Sequence, residues 1–520
     1  MKRVYFPIHP FLLSVYFILY VYAHNVTEID FVRILPYLFA SLGLAVIAVA
    51  GSYVLFRDII KAAILASVLI FLFFSFGHLY DWIDNYYWGT IKIGRRRYVF
   101  YFYAILVTGL GFYLYKTRKA LTTVTSFLNT LTLLSILICC FQIAVFNVRR
   151  ADIRDAFDQA DHPETSSFIT TSPADPPDIY YLIFDGYANG NVLKNMLGYD
   201  NEEFLSYLES TGFYVARNSR SNYGQTPLSL SSTLSMDYVN YAEERVGYHT
   251  ADASLLHHLI RYSKVASYLK NRGYRYYHVG SGYYEPTNYN PNADVFIQAG
   301  VTDELAMVLF KTTFFRMFEL YYNPITNDQR ARILGMFDEI AVLKKSDTPK
   351  YVFAHFVSPH PPFIFGPNGE DISNVQMDMF GDVWKNKQAY FDQIIFVNTK
   401  IKKMCESILA NTNRNVIILL HSDHGSGCLP GQFKPDGPDE IPLLKKENMV
   451  ERFGNFMAYY FPNQQYDRLY PGITPVNSFR IVFNQFFDDQ FELLPDKSYT
   501  SDAQIYYKFY DITELAEYGE

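Results

Sequence analysis

Apolar and polar residues are laid out in two different ways along this chain. Up to about residue 148 they form five long apolar stretches, 5–23, 34–56, 59–76, 99–115 and 125–146, separated by short connections rich in charge, Tyr or Trp. A helix needs about 20 mostly apolar residues to cross a bilayer, and Tyr and Trp collect where its ends meet water. The pattern predicts an all-α transmembrane domain of five spans over 1–148. Lys2 and Arg3 precede the first stretch and no small-residue cleavage site follows it, which predicts a retained anchor. Lys2, Arg3, Arg57, Lys61, Lys116, Arg118 and Lys119 favour a cytoplasmic N-terminus, while Lys92, Arg95, Arg96 and Arg97 count against it.

From 149 to 177 the chain is polar and proline-bearing ("ADHPETSSFITTSPADPPD"), the composition of a linker. Beyond it, over 178–520, strand-length apolar runs alternate with helical spacing. "DIYYLIFDG" reads as a strand and "NEEFLSYLESTG" as a helix. "SLLHHLIRYSKVASYLKNRG" reads as a helix before the strand "YRYYHVGSG". "KYVFAHFVSPH" is a further strand, and a long helix over 382–410 leads into "NVIILLHSDHGSG". Such alternation predicts an α/β domain with a mostly parallel sheet flanked by helices.

In such sheets, binding groups gather beyond the carboxyl ends of the strands. Three of the strands end in residues that bind metals or phosphate: Asp185, the pair His355 and His360, and the pair Asp423 and His424. Carboxylate oxygens and an imidazole are the donors that a divalent ion needs. Thr226, in "SNYGQTPLSLSSTLSM", is the candidate hydroxyl for such an ion to acidify. Ser221, Ser229 and Ser232 are its rivals, as nucleophiles or as helix caps. His421 alternates with Asp423 along the strand and could face the same side, although a structural role fits it better; Lys434 and Asp436 follow in a loop that could line the cleft, although solvated charges fit them better.

Composition narrows the picture. A net charge of -7 gives no footprint for nucleic acid. Four cysteines are too few for a disulfide scaffold, and Cys405 and Cys428 pair only if the fold brings them together.

The ordered blocks "PDIYYLIFDGY", "GYDNEEFLSYLESTGFYV", "SNYGQTPLSLSSTLS", "HFVSPHPPF" and "SDHG" resemble the sulfatase-like branch of the alkaline phosphatase superfamily. With five amino-terminal spans, the layout looks most like membrane-anchored phosphoethanolamine transferases and lipoteichoic acid synthases. The resemblance implies an alkaline-phosphatase-like fold over 178–520. It implies Asp185, Thr226, Asp423 and His424 as ligands of one Zn²⁺ or Mn²⁺, with a second ion left open, and Thr226 as nucleophile. His355 and His360 would contact the substrate phosphate or protonate the leaving group. Three departures stand out. The transferases have glutamate where this chain has Asp185, and a histidine in the region where it has Asp436. Sulfatases use Cys or Ser in C/S-x-P-S-R, matured to formylglycine, whereas "TPLSL" offers threonine, with no arginine.

The expected function is therefore transfer of a phospho-head group, phosphoglycerol or phosphoethanolamine, from a membrane phospholipid donor to an envelope glycan or lipid acceptor. It would proceed through a phospho-threonine, with the catalytic domain extracytoplasmic on a multi-pass membrane anchor. The alternatives are a sulfatase-like hydrolase of phosphate or sulfate esters and a catalytically inactive membrane binding protein.

Overall fold

The computed structural model describes the chain except for residues 1–5, 27–28, 30, 85, 89–90, 159–174, 248–251, 283–284, 301–303, 320–323, 373–374, 376–378, 380, 432–443, 502–504 and 519–520. Two compact units are present. One comprises Met1–Asp152 with Asp303–Ile325, the other Ile153–Thr302 with Thr326–Glu520.

The first unit contains α1 (His9–His24), α2 (Phe31–Phe56), α3 (Ile59–Ile83), α4 (Arg96–Lys116) and α5 (Thr122–Asp158). Among the described residues four helices are long and apolar enough to cross a bilayer: α2, α3, α4 and the Thr122–Val148 part of α5. This corrects the expected five spans. The 16 residues of α1 measure about 24 Å at 1.5 Å per residue, short of the roughly 30 Å hydrocarbon core. Asn129 of α5 holds the start of α1, its side-chain oxygen accepting from the N–H groups of Ile8 and His9.

At one end of the bundle, Asp58 caps α3 by accepting from Ile60 and Lys61, and the Lys61 ammonium donates to the Thr117 carbonyl at 2.9 Å. That bond joins the two basic turns that follow α2 and α4. At the opposite end, Lys92 pairs with Asp84, Arg316 with Asp81 and Arg96 with Glu319. The stretch Asp303–Ile325 thus belongs with the apolar helices although it lies inside 178–520. Its Phe314 packs against Phe76 and Phe100. Gly77 permits the approach, since a Cβ there would stand 2.0 Å from the Lys311 carbonyl oxygen.

The second unit is built on a seven-stranded sheet of β1 (Asp178–Phe184), β2 (Tyr214–Val215), β3 (Arg275–Gly280), β4 (Val295–Gln298), β5 (Lys350–Phe356), β6 (Val416–His421) and β7 (Met457–Tyr460), in the order β2-β7-β6-β1-β5-β3-β4. The run from β6 through β4 is parallel; β7 alone is reversed, pairing antiparallel with both β6 and β2. Every residue of β1 is buried. Ile179, Tyr181 and Ile183 enter one apolar core, while Tyr180, Leu182 and Phe184 enter the other. Covering on both faces is what a near-continuous apolar strand requires. At the start of this strand, Asp178 forms a buried ion pair with Lys350 at 3.1 Å and accepts from the Lys350 N–H at 2.9 Å.

Three helices carry the rest of what matters below: α6 (Thr226–Ser235), α7 (Lys387–Ala410) and α8 (Lys446–Phe453). The long pattern from 382 divides into a 3₁₀ turn, Gly381–Lys385, and α7, which Asn386 caps. The helix expected before β3 is likewise two, Ser254–Arg261 and Lys264–Asn271. Ser263 breaks it by accepting from the Ala266 N–H at 3.1 Å. All four cysteines are free thiols, so Cys405 and Cys428 do not pair.

Candidate active site

Parallel pairing sets β1, β5 and β6 in register, with Ile183 opposite both His355 and His421. Their carboxyl ends therefore open at one level, and the chain beyond each delivers polar side chains to the same spot. Asp185 follows β1, its N–H donating to the Phe356 carbonyl at 3.0 Å, and its own carbonyl accepts from the His360 N–H at 2.9 Å. Gly186 turns away with φ +70°, and a Cβ on it would stand 2.9 Å from Trp384. A residue with a side chain is excluded there twice over.

Asp423 and His424 follow β6. One Asp423 oxygen accepts from the N–H groups of Gly186 and His424, at 3.2 and 3.0 Å. The other faces inward. His424 Nδ1 lies 2.8 Å from the Gly425 carbonyl. A carbonyl only accepts, so Nδ1 carries the hydrogen and Nε2 presents its lone pair. That nitrogen faces Asp185 at 3.5 Å, Asp423 at 3.4 Å and the Thr226 hydroxyl at 3.4 Å. The same logic applies to His360, whose Nδ1 donates to Pro361 O at 2.7 Å and whose ring meets Trp384 edge-on. His355 Nδ1 contacts Thr287 Oγ1 at 3.0 Å, while its Nε2 lies 3.4 Å from Asp185.

The site thus gathers Asp185, Thr226, His355, His360, Asp423 and His424. Thr226 is the first residue of α6 and half-buried, and a helix N-terminus favours negative charge beside it. Its rivals are placed otherwise. Ser229 donates to the Asp423 carbonyl and Ser232 to the Asp237 carbonyl, each at 2.7 Å, and Ser221 is fully buried. His360 lies in a buried loop that the Gln393 amide spans, donating to the carbonyls of Pro359 and His360. His421 faces away from the site and packs edge-on between Tyr181 and Tyr459. Alternation with Asp423 ends where β6 ends, at His421. Lys434 and Asp436 lie outside the described residues.

Electrostatics argue for a cation. Asp185 Oδ1, Asp423 Oδ2 and His355 Nε2 are buried and take no hydrogen bond. Burial works against an ionised Asp185, yet His360, His355 and His424 together hold its carboxyl well below the usual range. Burial, then the charge of Asp185, pushes the Asp423 carboxyl up to about 6. Burial and Arg452 push the His424 imidazole well below its ordinary value, which keeps Nε2 unprotonated. The groups Asp185, His360, His424 and Asp185, His355, Asp423 each bring three donor atoms within 4.8 Å of one another. Buried carboxylate and imidazole donors gathered this closely fit a divalent ion.

Two further residues escape any reading of the sequence. Glu451 and Arg452, on α8, are buried. Glu451 accepts from Ser426 Oγ at 2.6 Å and the Leu429 N–H at 3.0 Å, and so fixes the loop after His424. The Gly425 N–H donates to the Arg452 carbonyl at 2.7 Å. A Cβ on Gly425 would fall 2.1 Å from the Glu451 carbonyl oxygen. Arg452 Nη2 reaches His424 Nε2 at 3.1 Å and its Nε donates to Gly224 O at 2.8 Å. Burial lowers its pKa to about 10, which leaves it charged at neutral pH. A lone Glu-Arg pair in an amphipathic helix carries no signal that separates it from a solvated surface pair.

The sulfatase family model matches residues 182–509. The chain belongs to the sulfatase family. It is accordingly an enzyme. No curated protein matches it. Among solved structures, the C-terminal periplasmic domain of EcEptC from Escherichia coli, in complex with Zn, is similar at 10% identity and TM-score 0.42, over 65% of this chain and 92% of that one. The integral membrane protein lipooligosaccharide phosphoethanolamine transferase A (EptA) from Neisseria meningitidis is similar over 92% of this chain and 93% of that one, at 10% identity and TM-score 0.35. A protein in the alkaline phosphatase superfamily from Vibrio parahaemolyticus is similar at 11% identity and TM-score 0.38, over 66% of this chain and 76% of that one.

Proposed function

We propose that this member of the sulfatase family is a membrane-anchored, metal-dependent phosphotransferase that works through a phospho-threonine. The observation that carries the reading is the approach of the Thr226 hydroxyl to His424, beside the inward-facing oxygens of Asp185 and Asp423. Asp185, Asp423, His424 and the Thr226 hydroxyl would hold one Zn²⁺ or Mn²⁺. When bound, such an ion supplies Lewis acidity, lowering the pKa of a hydroxyl and offsetting phosphoryl charge.

The chain's own residues account for the remaining requirements. Thr226 Oγ1 attacks the phosphorus of a phosphodiester, and the bond from phosphorus to the lipid alcohol breaks. Thr226 loses its proton as it attacks; the lone pair on His360 Nε2 can take that proton up and pass it to the departing oxygen, with His355 beside Asp185. An acceptor hydroxyl then attacks the phosphorus, the bond from phosphorus to Thr226 Oγ1 breaks, and the proton the acceptor loses restores the Thr226 hydroxyl. Threonine at this position favours phosphoryl chemistry over sulfate-ester hydrolysis, since it cannot be matured to a formylglycine.

The apolar helices suit a donor confined to the bilayer, a phosphoglycerol or phosphoethanolamine lipid, because anchoring raises effective concentration without new contacts. The two basic turns joined through Lys61 and Thr117 support a cytoplasmic placement for that end of the bundle. The chain leaving α5 then emerges on the extracytoplasmic side, where 178–520 would meet an envelope glycan or lipid acceptor.

Mass spectrometry of the protein after incubation with membrane lipids tests the reading. An adduct on Thr226 is expected, with the mass of the transferred head group, and none in Thr226→Ala that retains its metal. An adduct that persists in Thr226→Ala refutes it. Product formed with water alone, without acceptor, would instead identify a hydrolase.

A further inference from the structure

Arg452 has no role in the proposal above, yet it is among the best-placed groups of the site. It reaches the centre from α8, 226 residues beyond Thr226 in the chain. Its side chain passes alongside Gly224, where an added Cβ would stand 3.4 Å from Arg452 Cγ and 3.0 Å from Phe453. The glycine two residues before the candidate nucleophile therefore leaves room for the arm. Two bonds fix the arm's course, Gly425 N–H to Arg452 O and Arg452 Nε to Gly224 O, and Nη2 donates to His424 Nε2, a lone pair that a bound ion would take in its place. The guanidinium ends one short contact from the same imidazole nitrogen that faces Thr226 Oγ1 at 3.4 Å.

A buried cation beside a metal-fitting cluster needs a physical reason. Arginine only donates hydrogen bonds, so it is no metal ligand. The carboxylates of Asp185 and Asp423 offset its charge while no ion is bound; once they hold a divalent ion, the guanidinium is best stabilised by a further anion beside the ion. A phosphorus ready for attack stands about 3–3.5 Å from the attacking oxygen. Its non-bridging oxygens then fall within reach of donors that surround Thr226. A guanidinium is the donor whose planar fork matches two oxygens of a tetrahedral anion.

We propose that Arg452 holds a non-bridging oxygen of the phosphodiester whose phosphorus Thr226 attacks. The inference rests on the phosphotransfer reading and adds to it the residue that fixes the substrate's orientation. Glu451 and the Gly425 contact then act as supports, since they set where α8 delivers the guanidinium.

The test uses the full-length chain in detergent, loaded with Zn²⁺, and inorganic phosphate as the probe. Phosphate affinity is measured by calorimetric titration for the wild type, Arg452→Gln and Arg452→Lys. Metal content and thermal melting are measured on the same samples. Losing one charge-assisted hydrogen bond weakens binding roughly tenfold to a hundredfold. Arg452→Gln is expected to show that loss with zinc content and melting temperature unchanged, and Arg452→Lys to fall between the two. With bis(p-nitrophenyl) phosphate as substrate, KM should rise in the same order.

Phosphate affinity within twofold of wild type in Arg452→Gln overturns the proposal. So does loss of zinc along with phosphate, which would make the arginine a support of the metal ligands. If Arg452→Gln does not fold, Arg452→Lys is judged by the same criteria. Binding of phosphate needs no turnover, so a wild type that forms no Thr226 adduct refutes phosphotransfer while the titration still decides Arg452. A wild type that binds no phosphate overturns the proposal outright.

Discussion

Replacing Asp423 by Asn separates the cost of the acidic cluster from its use. Asp185 and Asp423 are both buried and bring donor oxygens within 4.8 Å of each other. Two unit charges at that separation repel by about 3.5 kcal/mol at an effective dielectric constant of 20. Arg452 and the surrounding imidazoles offset part of this, so the gain expected from removing one charge is on the order of 1–3 kcal/mol. Asparagine keeps the shape, and its carbonyl can still accept from the Gly186 and His424 N–H groups that now bond Asp423 Oδ1. In the presence of chelator, Asp423→Asn should therefore melt above the wild type. The shift is several degrees, at about 2–4 °C per kcal/mol for a large domain. With Zn²⁺ or Mn²⁺ added the order should invert, because the wild type gains binding energy and the variant loses a ligand. The assay is thermal unfolding of the detergent-solubilised chain with chelator and with each metal. A variant that melts below wild type in chelator, or that gains as much from metal as wild type does, would refute the argument that two facing carboxylates await a cation.

Removing one partner of the buried Asp178–Lys350 pair leaves an uncompensated charge at the start of the two central strands. Asp178→Asn should cost about 3–5 kcal/mol in urea melts, with much of the loss recovered in Asp178→Asn/Lys350→Met. Burial lowers the His278 imidazole to about 4 from an ordinary 6.5. Between those values the unfolded chain binds a proton that the folded chain refuses, so stability falls as pH drops through that window. His278→Gln should flatten the slope of stability against pH there by about 1.4 kcal/mol per pH unit. An equal slope in variant and wild type would sink this account. Gly425→Ala should displace the loop after His424, since its methyl would meet the Glu451 carbonyl oxygen at 2.1 Å. Loss of metal content with the fold retained, by circular dichroism, is the expected result.

The strands were readable because burial on both faces leaves a local mark. "DIYYLIF" and "VIILLH" are strand-length apolar runs, and both fold as parallel neighbours in one mostly parallel sheet. The residues that gather at their ends were readable for a related reason. Side chains that leave parallel strands at one level lie at or just past the end of each apolar run, as His355 does within β5 and Asp185, His360, Asp423 and His424 do beyond their strands. What remained hidden depends on contacts between segments far apart in the chain. Four candidate hydroxyls near 226 look alike in sequence. Only the packing of α6 on the loop after β6 turns Ser229 toward a carbonyl and Thr226 toward His424. The same holds for Glu451 and Arg452, whose burial reflects where α8 docks and not how polar they are. Apolar length misled in the first segment, where 16 residues became helix. It was silent about Asp303–Ile325, which packs with the apolar helices through Phe314, Arg316 and Glu319. Periodicity records the environment of each element along its own axis. Which elements meet, and which side chains they press together, is settled by packing in three dimensions.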